Sequence, residues 1–144
     1  MRITRAGEYA VRCVLYMSGI EKNQVVNRKK ISKEMDIPDQ FLGKIAQQLA
    51  RSGFIEIIQG AKGGYRLLME PKEITLLDVV EAITGEIFLN DCLMNPDSCA
   101  RSSSCSVNAI WKKAREQLRN SLKVATFDKL LQDESCVNPM AGAG

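Results

Sequence analysis

A glycine-rich segment between two apolar runs is the feature that most constrains the fold of this chain. Residues 54–58 and 65–69 are rich in β-branched and aromatic side chains, and residues 59–64 between them read Gln-Gly-Ala-Lys-Gly-Gly. Two such runs joined by a short segment that contains glycine predict a β-hairpin, with Lys62 exposed at its tip. Pro71 is expected to close the second strand, so the β-structure here is one small hairpin.

Three amphipathic helices are predicted before this hairpin. Residues 4–18, 27–35 and 38–51 each place apolar side chains at spacings of three and four, which puts those side chains on one face of a helix. The first two begin with Thr and Asn, which are good N-caps, and the third has a proline at its first position. Helix, helix, helix and hairpin is the order of a winged helix-turn-helix, which we expect over residues 1–72.

The C-terminal half is predicted to be helical apart from one loop. Residues 73–89 contain the capping-box pattern Thr-x-x-Asp and form a connecting helix, whereas residues 90–105 lack periodicity and form a loop. Residues 106–134 contain a long amphipathic helix and a short closing segment, and residues 135–144 are expected to be a flexible tail. The apolar stripe of the long helix needs a partner, and a second copy of the chain is the simplest one. The predicted fold class is therefore mainly α with a small β-hairpin: a winged helix-turn-helix plus a long C-terminal dimerisation helix.

Charge is distributed unevenly between the two halves of the chain. Residues 1–72 contain 13 Lys and Arg against 7 Asp and Glu, a net charge of +6. Residues 73–144 contain 7 against 10, a net charge of −3, and the two halves sum to the net charge of +3 of the whole chain. A basic half that also has the order of a winged helix-turn-helix indicates DNA as its partner.

The predicted third helix and the hairpin supply the candidate DNA contacts. Glutamine side chains read base edges in the major groove, lysine and arginine bind phosphates or guanine, and glycine lets a backbone approach closely. The same polar residues are also compatible with a merely solvated surface. The residues expected to bind DNA are Arg28, Lys29, Gln40, Gly43, Lys44, Gln47, Gln48, Lys62 and Gly63.

Composition excludes several classes of protein. The chain has no histidine, which excludes catalysis by a Ser-His or Cys-His pair. It also shows no phosphate-binding loop and no convergent acid pair, so we expect no enzyme activity. No apolar run approaches the ~20 residues of a membrane-spanning helix, and no secretory signal is visible at the N-terminus. We therefore expect a cytoplasmic protein without a membrane partner.

Three of the five cysteines lie in one polar loop. Cys92, Cys99 and Cys105 have the spacing C-x6-C-x5-C, which is compatible with a metal centre. Iron–sulfur clusters are the commonest assembly held mostly by cysteine, and a zinc site and a thiol redox switch are the alternatives. Cys13 falls on the apolar face of the first helix and is expected in the core, whereas Cys136 is expected to have no fixed role.

Four segments resemble a known family of bacterial regulators. They are the opening residues 1–11, the wing motif Gly-x-x-Gly-Gly-Tyr at 60–65, the sequence Asn-Ala-Ile-Trp at 108–111, and Thr-Phe-Asp-Lys-Leu-Leu at 126–131. On these segments the chain resembles the bacterial iron–sulfur cluster regulators of the IscR type. The likeness covers about residues 1–131.

The resemblance implies a homodimeric transcription regulator that binds palindromic double-stranded operator DNA. It also implies that Cys92, Cys99 and Cys105 bind an iron–sulfur cluster, with [2Fe-2S] favoured over [4Fe-4S] by the likeness of the long helix. The position of the family's histidine ligand is Asn108 in this sequence, and asparagine is a poor iron ligand. Glu8 of the other subunit is therefore expected as the fourth ligand, as in some relatives.

Three functions are compatible with the resemblance. The first is a repressor of iron–sulfur cluster biogenesis genes that senses the supply of clusters. The second is a nitric-oxide-sensing or redox-sensing repressor, and the third is a cluster-free repressor of cysteine metabolism that a partner protein regulates. The loop cysteines favour the first two. Glu8 also has an alternative role, because it can pair with Arg5 or Arg12 on the helix surface.

Overall fold

The computed structural model describes residues 2–132, which form seven α-helices and one two-stranded antiparallel sheet. This confirms the predicted fold class. Among the described residues, no helix is long and apolar enough to cross a membrane. The predicted tail, residues 135–144, lies outside the described part of the chain. The elements are α1 (Arg5–Ser18), α2 (Arg28–Met35), α3 (Asp39–Arg51), β1 (Ile55–Ile58), β2 (Gly64–Leu67), α4 (Leu76–Thr84), α5 (Asp91–Met94), α6 (Ser106–Lys123) and α7 (Phe127–Leu131).

The first three helices begin where their capping residues predict. The Thr4 hydroxyl accepts a hydrogen bond from the backbone N–H three residues further on, at 3.1 Å. The Asn27 side chain accepts one from the N–H of Lys29 at 2.8 Å. The prediction for the third helix was wrong by one residue, because Pro38 is its N-cap and α3 begins at Asp39.

Arg12 fastens the turn between α2 and α3. Its guanidinium donates hydrogen bonds to the carbonyl oxygens of Met35 and Asp36, at 3.4 and 3.3 Å. Asp36 has a left-handed backbone with a φ of 53°, which ends α2 and lets Ile37 enter the core. The guanidinium also lies 5.5 Å from the centre of the Tyr9 ring on the same helix. Because Arg12 belongs to α1, this helix holds the turn that positions α3.

The predicted hairpin forms, with shorter strands than expected. β1 pairs with β2 in antiparallel register, with Ile55 opposite Leu67. The strands were predicted at 54–58 and 65–69, but β1 is Ile55–Ile58 and β2 is Gly64–Leu67, four residues each, so β2 ends before Pro71. We call residues 55–67, which include both strands and the glycine-rich turn, the wing.

One hydrophobic core joins the winged helix-turn-helix to the C-terminal half, across the boundary expected at residue 72. Phe127 of α7 is fully buried, and its N–H donates to the carbonyl of Ile74 at 3.0 Å. The N–H of Leu76 donates to the carbonyl of Ala125 at 2.8 Å, so the chain returns beside the start of α4. Large core side chains with almost no exposure are Met17, Ile31, Leu42, Leu49, Ile55, Ile74 and Phe127.

The segment predicted as a loop contains regular structure. Within residues 90–105, α5 occupies Asp91–Met94 and a short 3₁₀ turn occupies Pro96–Ser98. The long helix α6 follows, and its 18 residues span about 27 Å.

Two arginines bind α6 to the end of α4 and the chain that follows it. Arg115 pairs with Glu86 and donates from Nε to the carbonyl of Ile87 at 2.7 Å. Arg119 pairs with Glu81, whose carboxylate also accepts the N–H of Ile87. The apolar stripe near the start of α6 stays uncovered in one chain, and its exposed members are Val107, Ile110 and Trp111.

Phe127→Ala is expected to lower the free energy of unfolding by about 3–5 kcal/mol, because it leaves a cavity where α7 packs against α1. Urea unfolding followed by circular dichroism, at one fixed protein concentration, measures the change. Leu68→Ala is the control, because Leu68 is 54% exposed and its loss is expected to change stability by less than about 0.5 kcal/mol. Equal losses for the two variants would contradict the shared core.

Candidate DNA interface and cysteine loop

A cleft of about 400 Å³ lies between α3, the start of α2 and the wing. We call it the wing cleft. Six of the nine residues predicted to bind DNA line it, whereas Lys29, Gln48 and Lys62 are exposed outside its lining. The six are Arg28, Gln40, Gly43, Lys44, Gln47 and Gly63.

The exposed face of α3 presents side chains suited to DNA. Gln40, Lys44 and Gln47 are all exposed, and their spacing of four and three residues places them on one side of the helix. A glutamine amide can bond an adenine edge through two hydrogen bonds, and a lysine ammonium can bind guanine or a phosphate. The major groove admits a helix, so this face has the size and chemistry to enter it.

Two glycines of the wing stand where no side chain fits. A Cβ atom on Gly63 would lie 2.1 Å from the carbonyl oxygen of Ile58, and a Cβ atom on Gly64 would lie 2.1 Å from that of Val26. Both contacts are with backbone. The backbone at Ile58 cannot move aside without opening the hairpin, and that at Val26 cannot move without breaking its pairing with Tyr65. The Gly-Gly pair of the wing motif therefore follows from close backbone packing.

Tyr65 ties the wing to the segment before α2. Its N–H donates to the carbonyl of Val26 at 2.8 Å, and its carbonyl accepts the N–H of Val26 at 2.9 Å. The ring is buried, and burial raises the pKa of the Tyr65 hydroxyl to about 12, although the neighbouring guanidinium of Arg28 acts to lower that pKa. The wing and the start of α2 are thus one rigid wall of the wing cleft.

Arg28 does not extend freely from this wall, because Asp39 holds it. Its Nε and Nη2 atoms donate to the two carboxylate oxygens of Asp39 at 3.1 and 3.0 Å. A Cβ atom on Gly43 would lie 3.1 Å from Nη1 of Arg28. Gly43 was predicted to let DNA approach, and it also makes room for this guanidinium. Sequence reasoning missed Asp39, although Arg28 and Asp39 are the first residues of consecutive helices.

The structure brings two of the three loop cysteines to one cleft. Cys92 on α5 and Cys99 after the 3₁₀ turn line a cleft of about 370 Å³ together with Asn108 and Lys112. Cys105 is outside this lining and is the N-cap residue of α6. In residues 2–132 of a single chain, no three Cys, Asp or Glu side chains lie close enough together to hold one metal ion.

Asn108 contacts sulfur directly. Its side chain is 5% exposed, and its Nδ2 atom donates to Sγ of Cys92 at 3.3 Å. Hydrogen bonds to cysteine sulfur are one of the means by which proteins tune an iron–sulfur cluster. Three cysteine thiols, two of them on one cleft and one receiving an amide N–H, therefore fit such a cluster by donor chemistry.

Glu8, expected as the fourth ligand from the partner subunit, lies on α1. Its carboxylate is exposed and pairs with Arg5 at 3.4 Å, which is one of the alternative partners predicted for it. Arg12, the other alternative, is instead bonded to the end of α2. Among residues 2–132 of one chain, Glu8 does not join two of the loop cysteines in a group that could hold a metal ion.

The two cysteines outside the loop are Cys13 and Cys136. Cys13 is fully buried on α1, which confirms the prediction that it is a core residue. Burial raises the pKa of its thiol to about 12, so this sulfur stays protonated and unreactive near neutral pH. Cys136 lies outside the described residues.

The fold and the wing cleft define a winged helix-turn-helix transcription regulator. The family model Rrf2, described as an iron-dependent transcriptional regulator, matches residues 3–133, and the chain belongs to this family. Protein aau3 of Rhizobium meliloti is 31% identical over 99% of this chain and 92% of its own length. The HTH-type transcriptional regulator NsrR of Geobacillus kaustophilus is 28% identical over 97% and 96%. The chain is therefore a DNA-binding regulator and not an enzyme.

Solved structures share the same fold. CymR, described as the global cysteine regulator of B. subtilis, superposes with a TM-score of 0.74 at 22% identity, over 90% of this chain and 95% of that one. IscR of T. potens superposes with a TM-score of 0.72 at 20% identity, over 93% and 88%. At these identities the likeness shows the fold alone.

Gly64→Ala is expected to lower the free energy of unfolding by about 1–3 kcal/mol, because the new Cβ atom meets the backbone of Val26. Gly43→Ala is the matched control, since the one close atom there belongs to a side chain and not to the backbone, and alanine favours a helix interior by up to about 1 kcal/mol. Urea unfolding of both variants measures the difference. A Gly64→Ala protein as stable as the parent would show that the wing is not packed in this way.

Proposed function

We propose that this chain is a homodimeric, iron–sulfur-cluster-sensing repressor of iron–sulfur cluster biogenesis genes that binds palindromic operator DNA. The observation that carries the proposal is the cleft in which Cys92 and Cys99 face Asn108, with an amide N–H on the sulfur of Cys92. The family description as iron-dependent regulators supports it.

In the proposed complex, α3 enters the major groove and the wing contacts the neighbouring backbone. Gln40 and Gln47 meet base edges, whereas Lys44 and Lys62 meet phosphates or guanine. Arg28, Lys29, Gln48 and the glycines Gly43 and Gly63 complete the contact surface. Phosphate contacts of this kind fix the position of α3, and base contacts supply the sequence preference.

A second copy of the chain is the proposed cover for the exposed stripe of α6. Val107 and Ile110 are 50% and 61% exposed, and the exposed side chains of Phe88 and Met94 also belong to this half of the chain. Burial of apolar area contributes roughly 25 cal/mol per Å², so the pairing of two such stripes favours association. Because a homodimer has two-fold symmetry, its two α3 helices require a palindromic site.

The cluster would be held by Cys92, Cys99 and Cys105, with Glu8 of the partner subunit as the fourth ligand. Its favoured type is [2Fe-2S] over [4Fe-4S]. When bound, the cluster would supply thiolate–iron bonds that order the cysteine loop. Cys105 is the N-cap of α6, so its position sets the start of this helix. Arg115 and Arg119 connect α6 to α4, which packs against α1 and α3. The cysteine loop is therefore linked to α3 through α6 and α4.

A cluster-free repressor, controlled by thiol oxidation or by a partner protein, is the second candidate. It is favoured by the observation that the described part of one chain does not gather its three loop cysteines. A nitric-oxide-sensing or redox-sensing repressor would use the same cysteines as the first candidate. It differs from that candidate in its signal, which is damage to the cluster and not the supply of clusters.

Anaerobic purification with iron and acid-labile sulfide assays separates the two candidates. The native protein is expected to be coloured, with close to stoichiometric iron and sulfide per subunit, and the Fe:S count with EPR of the reduced form distinguishes [2Fe-2S] from [4Fe-4S]. Replacing any of Cys92, Cys99 or Cys105 by alanine should abolish the colour, because each supplies a thiolate ligand. Cys13→Ala, which removes a buried core thiol, should retain it. Colourless protein that stays empty after reconstitution and still binds DNA would favour the cluster-free candidate.

Lys44→Ala is expected to weaken binding to all duplexes and to reduce the slope of log affinity against log salt by about 1, because one phosphate contact is lost. Fluorescence anisotropy measures both quantities, with a duplex that the unaltered protein selects from a random pool. Lys123→Ala at the end of α6 removes the same charge from a position outside the wing cleft. It should leave the slope unchanged. If Lys44→Ala behaves as Lys123→Ala does, α3 is not the docking helix.

A further inference from the structure

A carboxylate beside the proposed DNA-binding face needs an explanation. Asp39 opens α3, immediately before Gln40, and its side chain is 40% exposed. A negative charge at this position repels DNA phosphates, whereas residues 1–72 as a whole carry a net charge of +6. Asp39 does favour the N-terminus of α3 through the helix dipole, but many residues can serve there.

The contacts of Asp39 are more specific than that role requires. Both carboxylate oxygens are used, one by Nε and one by Nη2 of Arg28, at 3.1 and 3.0 Å. A bidentate pair of this kind fixes the plane of the guanidinium, which a single contact does not. Asp39 therefore determines the direction in which the remaining N–H groups of Arg28 point.

Two neighbours complete the seat of the guanidinium. Gly43 has no side chain, and the one non-local atom within 4 Å of the place where its Cβ would stand is Nη1 of Arg28. Tyr65 approaches from the wing, and the charge of Arg28 acts to lower the pKa of its hydroxyl. Arg28, Gly43 and Tyr65 all line the wing cleft. The guanidinium is thus held in one place at the centre of the proposed contact surface.

We propose that Asp39 is a specificity-determining residue that acts by positioning Arg28. Asp39 occupies two donor atoms of the guanidinium and offsets its charge, so Arg28 contributes little to binding an arbitrary phosphate. Arg28 contributes fully only where a duplex accepts its remaining N–H groups in the orientation that Asp39 sets. This inference rests on the proposed docking of the wing cleft on DNA.

Asp39→Asn tests the proposal directly. It frees Arg28 to meet any phosphate, so affinity for a shuffled duplex should rise, and its salt slope should steepen by about 1. The ratio of affinities for the selected and shuffled duplexes should fall about tenfold, the discrimination expected of one good base contact. Asp39→Glu, which keeps the carboxylate, should restore part of that ratio. Circular dichroism verifies that the variants are folded.

Glu56→Gln is the matched control. Glu56 pairs with Arg66 across the two strands of the wing, so its replacement also breaks an arginine–carboxylate pair and adds one unit of charge. It should leave the ratio unchanged. Gly43→Ala shifts the guanidinium by a few tenths of an ångström without any change in charge, so it should lower the ratio without steepening the salt slope.

Arg28→Ala identifies the residue through which Asp39 acts. In that background, Asp39→Asn should have no further effect on the ratio, because the two residues form one unit. An undiminished effect in the Arg28→Ala background, or equal behaviour of Asp39→Asn and Glu56→Gln, would overturn the proposal while Lys44→Ala still weakens binding. If Lys44→Ala and Arg28→Ala both leave binding unchanged, the docking itself is wrong and the inference fails with it.

Discussion

The winged helix-turn-helix depends on a backbone contact in which Gly64 lies against the carbonyl of Val26. The contact leaves no space for a Cβ atom, and the paired hydrogen bonds between Tyr65 and Val26 hold it closed. Because Arg28 follows Val26 by two residues, the same contact places the guanidinium at the mouth of the wing cleft. The wing is therefore not an appendage on a helical domain. It is a wall whose distance from α3 is set by main-chain packing, which surface substitutions do not easily change.

Local interactions made much of this fold predictable. The caps at Thr4 and Asn27 involve atoms within three residues of each other, so their patterns are complete in the sequence. The helix Asp91–Met94 was missed because four residues among Asn, Ser and Pro are too few to display a period. The burial of Phe127 and the pairing of Asp39 were missed because both depend on chain segments that only tertiary structure brings together.

The two parts of the candidate site differ in how far the sequence could predict them. Four of the six predicted residues that line the wing cleft share one face of α3, so helix periodicity alone groups those four. The spacing of Cys92, Cys99 and Cys105 identifies possible donors but does not fix their geometry. Their relative placement depends on α5, the 3₁₀ turn and the start of α6, which the spacing of the cysteines does not specify.

The helix α6 connects the cysteine loop to α4, and α4 packs against α1 and α3 of the winged helix-turn-helix. Cys105 is the N-cap residue of α6, and Asn108 in its first turn contacts Cys92. The Nε1 atom of Trp111 donates to the side-chain oxygen of Asn90 at 3.0 Å. One to two turns further on, Arg115 and Arg119 grip the carboxylates and backbone at the end of α4. A helix transmits a displacement of one end to the other with little loss, because its backbone is hydrogen-bonded throughout. In the proposed dimer, the same helix also carries the exposed stripe, so any change in the loop that turns α6 also changes the distance between the two α3 helices.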